Sequence, residues 1–114
     1  MSTLHPVVLR IEHPVPDFET WKRDGFDRDP IGRAQGGVRR YRVLRQGEQP
    51  AVVAIELEFD DRATAAAFAS ALDEMWRGAQ DRFAWRELPE ARLFELVDSH
   101  VYREDDRGLQ ATMR

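Results

Sequence analysis

Val7-Val8-Leu9-Arg10-Ile11-Glu12-His13-Pro14-Val15-Pro16-Asp17 decides how the chain begins to fold. Val7, Leu9 and Ile11 fall on one side of an extended backbone and Val8, Arg10 and Glu12 on the other, the period of two of a half-buried strand. A first strand is therefore expected over 7–13. The prolines that follow keep the chain extended, because a residue before proline avoids the helical region. Asp17 is then placed to cap a helix carrying Phe18, Trp21 and, a turn on, Gly25 and Phe26.

Working outward, Asp27 to Gly37 holds one proline and three glycines where turns need them, so it reads as a structured loop inside one domain. Strands are expected over 38–45 and 51–59, joined by the turn-forming Gln46-Gly47-Glu48-Gln49-Pro50 into an antiparallel hairpin. Asp60 and Asp61 precede an alanine-rich run with Phe68, Leu72, Met75 and Trp76 at three- and four-residue spacings, an amphipathic helix ending near Gly78. After a mixed stretch with Phe83 and Trp85, a fourth strand is expected over 92–97. The organisation is a single domain over 1–102 and a polar, frayed tail over 103–114.

The order β-α-β-β-α-β folds through right-handed crossovers into a four-stranded antiparallel sheet, spatially 4-1-3-2, with both helices on one face. That is an α+β, ferredoxin-like layout. Its covered face accounts for the apolar alternation, and its open face presents Val8, Arg10, Glu12, Arg40, Arg42, Leu44, Val52, Ala54, Glu56 and Glu58.

Composition narrows the function classes. With 114 residues, 42% of them hydrophobic, the chain suits one domain with its own core. Cysteine is absent, which removes disulfides, thiolate metal sites and cysteine nucleophiles. Seventeen basic side chains, all arginine except Lys22, stand against 21 acidic ones for a net charge of −4. That balance offers no field for phosphate backbones or anionic lipid. RNA-binding domains of this topology stack bases on aromatic rings of the central strands, where Glu56 and Glu58 stand here, so Arg39, Arg40, Arg42 and Arg45 read as cross-strand partners of acids and no nucleic-acid partner is expected. No apolar run is long enough to cross a bilayer and no basic leader precedes one, so no membrane partner and a cytoplasmic location are expected. Exposed valines on an open sheet are a liability that closure against a second copy removes, so a homodimer through that face is expected.

Arg10 to Lys22, with Phe26-Asp27, Asp29 to Arg33, Gly37 to Arg45 and Glu56 to Asp60, resembles small bacterial proteins of the dimeric α/β-barrel superfamily, a likeness covering most of 7–98. Its members include polyketide cyclases, cofactor-free antibiotic-biosynthesis monooxygenases and haem-degrading enzymes. The resemblance implies a small-molecule cavity between helices and sheet, and a dimer whose apposed sheets close a barrel. The haem-degrading and quinone-forming members use an asparagine with Trp and His. This chain has no asparagine, so their mechanism is not expected.

Single residues carry the remaining expectations. His13 ends the first strand on the apolar side, where it either exchanges a proton near neutral pH or is held by hydrogen bonding where the helix begins. Arg33 either holds a carboxylate, enolate or phenolate bidentately or fixes its loop through Asp27 or Asp29. Trp21, Phe68 and Trp76 are core rings by spacing and, with a Tyr41 hydroxyl facing inward, the candidate walls of an apolar pocket. Phe83 and Trp85 with Trp76 read as an aromatic lid or a dimer contact. His5, Asp98 and His100 converge as strand ends, but no metal site and no cofactor is assigned. The reading is a homodimer with an apolar pocket for an aromatic or polyketide-type metabolite, either a cofactor-free cyclase or isomerase or a non-catalytic binding or assembly module.

Overall fold

Alternating aliphatic residues place β1, Val7–Val15, between two antiparallel neighbours in the computed structural model, which describes residues 5–47, 51–83 and 89–107, side chains excepted at 51, 79–83 and 107. The other strands are β2 (Arg40–Gln46), β3 (Ala51–Phe59) and β4 (Glu90–Glu95), and the sheet order is β2-β3-β1-β4. Two helical segments complete an α+β layout consistent with a ferredoxin-like fold. A short α1 (Phe18–Thr20) runs on as a π-helical stretch, Trp21–Phe26, and α2 spans Arg62–Phe83.

Asp17 caps α1, its Oδ1 accepting the Glu19 N–H at 3.2 Å and its Oδ2 the Thr20 hydroxyl at 2.8 Å. The π-helical stretch closes with the Asp27 N–H donating to the Lys22 carbonyl, five residues back, at 2.8 Å. Asp61 caps α2 by accepting the Thr64 N–H at 2.8 Å.

Four expected boundaries are corrected. β1 continues through His13 to Val15, pairing with β3 alone beyond Glu12 because β4 begins opposite that residue. Pro14 therefore withholds its missing N–H from no ladder on that side. β2 starts at Arg40 instead of 38, after Gly37 has turned the chain at φ +99°. β4 starts and ends two residues early, directly after Pro89. α2 runs past Gly78, whose missing side chain faces open space and so leaves no contact unmade. The tail begins as a 3-10 turn, Asp105–Arg107, in which the Arg103 N–H donates to Asp106 Oδ2 at 3.0 Å, and 108–114 lie outside the described residues.

The core lies between the sheet and α2, where Val7, Leu9, Leu57 and Phe59 are almost wholly buried against Ala65, Phe68 and Leu72. Each such aliphatic or aromatic side chain contributes roughly 1.5–3 kcal/mol of burial. A second, smaller cluster joins Val15 and Val53 to Phe18 and Trp21. Trp21 packs against both clusters. The loop before β2 reaches α2 closely: a Cβ on Gly36 would stand 2.5 Å from Phe68 Cδ1.

Candidate functional site

The helical segment after β1 does not settle onto the sheet along its whole length. Phe18 and Trp21 anchor it at the Val15 end and Phe26 at the other, and a cavity of about 650 Å³ remains between it, the sheet and α2. The sheet contributes Ile11, Ile55 and Leu57 to the wall, and α2 contributes Phe68, Leu72 and Trp76. The size lies within the usual range of small-molecule sites, and the lining is predominantly apolar with a few polar groups. Asp24, Arg28 and Glu74, all exposed, border it.

His13 lines this cavity from the far end of β1. Its Nδ1 lies 3.1 Å from the Pro14 carbonyl oxygen. A carbonyl can only accept, so Nδ1 carries the hydrogen and Nε2 of the neutral ring keeps a lone pair. Burial pushes the imidazole below its ordinary pKa, opposed by the Pro14 hydrogen bond, which favours the charged form. At neutral pH the ring is an uncharged proton acceptor. His13 is thus a backbone-anchored ring at the wall of a cavity.

From His13 a row of rings follows the wall. Trp21 meets His13 edge-on at 6.0 Å between centroids, Phe26 tilts against Trp21 at 5.4 Å, and Tyr41 meets Phe26 edge-on at 5.0 Å. Arg33 lies over Phe26, its guanidinium carbon 3.8 Å from the ring centroid, a cation–π contact. The same guanidinium donates from Nη1 to the Phe26 carbonyl at 3.0 Å and lies 3.7 Å from Asp29 Oδ1, which accepts the Arg33 backbone N–H at 2.8 Å. Arg33 fixes its loop and also lines the cavity. His13 and Arg33 thus both line the cavity, with the Trp21 and Phe26 rings between them along its wall.

Trp21, Phe68 and Trp76 line the cavity as well. Tyr41 does not: it is 45% exposed on the edge strand β2, and its ring backs Phe26 from outside the wall. An edge strand is covered from one side only, which the alternation pattern does not record. The side chain of Phe83, and Trp85 altogether, lie outside the described residues. Among the described residues no group of three His, Asp or Glu side chains is placed to hold a metal ion, so His5, Asp98 and His100 form no such cluster. Sequence reading missed Ile31 and Pro89, which also line the cavity. Pro89 is buried beside β4, and its value as a fixed corner before a strand was the available signal.

The opposite sheet face carries a charge lattice. Glu56, central on β3, accepts Arg42 Nη2 at 2.6 Å and Nε at 3.1 Å on Oε1, and Arg10 Nη1 on Oε2. Arg10 also donates to Glu12 at 2.9 Å. Hydrogen bonding from Arg42, more than that from Arg10, holds the Glu56 carboxyl below its ordinary pKa. Around these ions stand Leu44, Val52 and Phe94, each at least 40% exposed. Phe94 was not foreseen on this face; its register opposite Val8 puts it there. Among the described residues no helix is long and apolar enough to cross a membrane. Comparison with family models, with curated proteins and with solved structures finds no match.

Proposed function

We propose that the protein binds a flat, largely apolar small molecule in the cavity between α2, the π-helical stretch and the sheet, and that two copies associate through the open sheet faces as in the dimeric α/β-barrel superfamily. The observation that carries this reading is an apolar cavity of about 650 Å³ whose wall holds one half-buried imidazole. Phe68, Trp76 and the Trp21–Phe26 pair suit a planar ring system, and His13 accepts a proton or hydrogen bond from a phenol or enol. In a cyclase- or isomerase-type reaction His13 is the general base. A non-catalytic binding role is the second reading, favoured by the Arg33 guanidinium, which is already engaged by the Phe26 carbonyl and Asp29. The dimer is supported by self-complementarity: Arg10 and Glu56 are direct cross-strand partners on the two central strands, so a two-fold axis between them sets Arg10 of each copy over Glu56 of the other.

Titration with 2-naphthol, read by tryptophan fluorescence, tests the cavity because Trp21 and Trp76 both line it. Saturable quenching that weakens in His13→Gln is expected. Linear quenching up to the solubility limit of the probe overturns the binding reading. Native mass spectrometry of the freshly purified chain adds the identity of any retained ligand. Where a substrate is found, undiminished turnover by His13→Gln removes the general-base role.

A further inference from the structure

Arg33 uses one of its three guanidinium nitrogens within the protein. Nη1 donates to the Phe26 carbonyl at 3.0 Å and lies 3.7 Å from Asp29 Oδ1. Among the described residues, Nε and Nη2 meet no acceptor. Neither nitrogen is sealed off, since no buried side-chain nitrogen or oxygen of the described residues lacks a hydrogen bond. The guanidinium is held over Phe26, 3.8 Å from the ring centroid, with the Tyr41 ring 5.1 Å away, and the side chain is only 15% exposed. A cation so far removed from water is costly unless its donors are matched, and one carbonyl with a carboxylate beyond hydrogen-bonding distance matches it only in part.

Nε–H and the neighbouring Nη2–H form the side-on fork of a guanidinium, two parallel donors that fit the two oxygens of a carboxylate. The chain shows this fork in use elsewhere. Arg23 sets Nε 2.8 Å and Nη2 3.0 Å from the two oxygens of Asp24, and Arg42 sets the same pair on Glu56 at 3.1 and 2.6 Å. On Arg33 the edge belongs to a residue of the cavity wall. The charges on the loop side of that wall leave it positive. Asp24 is neutralised by Arg23, and Arg28 lies on the rim with no ion-pair partner among the described residues. The remaining acid, Glu74, is exposed on α2.

We infer that the cavity takes a planar carboxylic acid, bound as its carboxylate on the Nε and Nη2 edge of Arg33 with its ring system along Phe26 and Trp21. His13, at the other end of that row of rings, then accepts the hydrogen bond of a hydroxyl at the far end of the ligand. This rests on the ligand-binding reading given above and narrows it from flat apolar molecules to flat anions. The Nη1 contact that fixes loop 27–37 also orients the fork before a ligand arrives, so binding requires little further side-chain ordering.

Tryptophan-fluorescence titration of the full chain with 2-naphthoate and with 2-naphthamide, which has the same shape but no charge, tests it. Binding of 2-naphthoate roughly tenfold or more tighter is expected. The preference falls to about threefold or less in Arg33→Lys, because lysine keeps the charge but not the two parallel donors, and survives in Arg28→Gln. Equal affinity for the two probes overturns the inference, and saturable binding of both then leaves the cavity reading standing. A preference undiminished in Arg33→Lys, or lost in Arg28→Gln, overturns the assignment to Arg33. Linear quenching with both probes and with 2-naphthol overturns the inference together with the cavity reading. Where far-UV circular dichroism shows Arg33→Lys unfolded, the Arg33 Nε–H resonance of the unaltered chain decides. A shift that saturates with 2-naphthoate and is absent with 2-naphthamide supports the fork, and an equal shift with both or with neither overturns it.

Discussion

Replacing Glu56 by Gln probes the charge lattice at its centre. The side chain is only 19% exposed and accepts from two guanidiniums, Arg10 and Arg42, whose own side chains are 36% and 68% exposed. A hydrogen bond to a charged group is worth roughly 1.5–3 kcal/mol, but pairs this exposed on the arginine side are screened toward 1 kcal/mol or less. Glutamine keeps the shape and one acceptor oxygen, and turns an amide N–H₂ toward a guanidinium. The expected cost is about 1–2 kcal/mol, which for a domain of this size lowers Tm by roughly 4–8 °C. The pH dependence has a definite sign. The folded carboxyl titrates below its unfolded value of 4.5, so its stabilisation is fully present above that value and is lost as pH falls through the lower folded pKa. Thermal denaturation followed by circular dichroism at pH 7.5, 5.5 and 3.5 reads this directly. A gap between the unaltered chain and Glu56→Gln that is equal at pH 7.5 and 5.5 and narrows at 3.5 is expected. Equal Tm at pH 7.5, or an undiminished gap at 3.5, refutes the reasoning. In the proposed dimer the gap also widens with protein concentration, since Arg10 of each copy then lacks the carboxylate of the other.

Three further outcomes are expected. His13 titrates below 6.5 when folded, so its contribution holds above that pH and is lost as pH falls toward the folded value; Tm between pH 7.5 and 5 falls more steeply for the unaltered chain than for His13→Gln. Gly36→Ala places a methyl 2.5 Å from Phe68 Cδ1 and costs about 1–3 kcal/mol; because the same ring lines the cavity, chemical denaturation and 2-naphthol titration are expected to show stability and affinity falling together. Leu72→Ala costs roughly 2–3 kcal/mol, the low end for a buried leucine, since one side of it already borders empty space; urea denaturation checks it, and the enlarged cavity accepts wider ring systems.

Much of the fold is legible because the strands bury one face each. Leu9 and Ile11 against Arg10 and Glu12, or Ile55 and Leu57 against Glu56, admit only one way of facing the core. The alanine-rich helix and its Asp61 cap are equally plain. The π-helical stretch was not read, although a signal exists: Trp21 and Phe26 are five residues apart, a spacing that an α-helix would splay to different sides and that i to i+5 bonding brings to one wall. The cavity residues His13, Trp21, Phe68 and Trp76 follow from alternation and helical spacing. The place of Arg33 on that wall does not follow, because loop 27–37 sets it through the left-handed Asp29, at φ 53°, and Gly32, at φ 77°, which no periodicity encodes. Tyr41 misled for the related reason that parity along β2 assigns a face without saying how far α2 reaches across it.

The same strands floor the cavity and carry the charged face, and this ties the two halves of the proposal. Ile11 and Ile55, cross-strand partners, line the cavity, while the residues on either side of them, Arg10, Glu12, Ala54 and Glu56, point the other way. Fixing Arg10 and Glu56 against a second copy restrains the backbone whose alternate positions form the cavity floor. Beyond Glu12 the restraint changes character, because His13, Pro14 and Val15 pair with β3 only. There the Pro14 carbonyl is left for the His13 ring. Among the described residues, the one titratable group of the wall that is not exposed or engaged in an ion pair thus sits where β1 passes out of the four-stranded region, held by its own strand on one side and meeting Trp21 on the other. Trp21, which meets His13 edge-on at 6.0 Å between centroids, is the ring on which a ligand of the proposed kind would stack beside that imidazole.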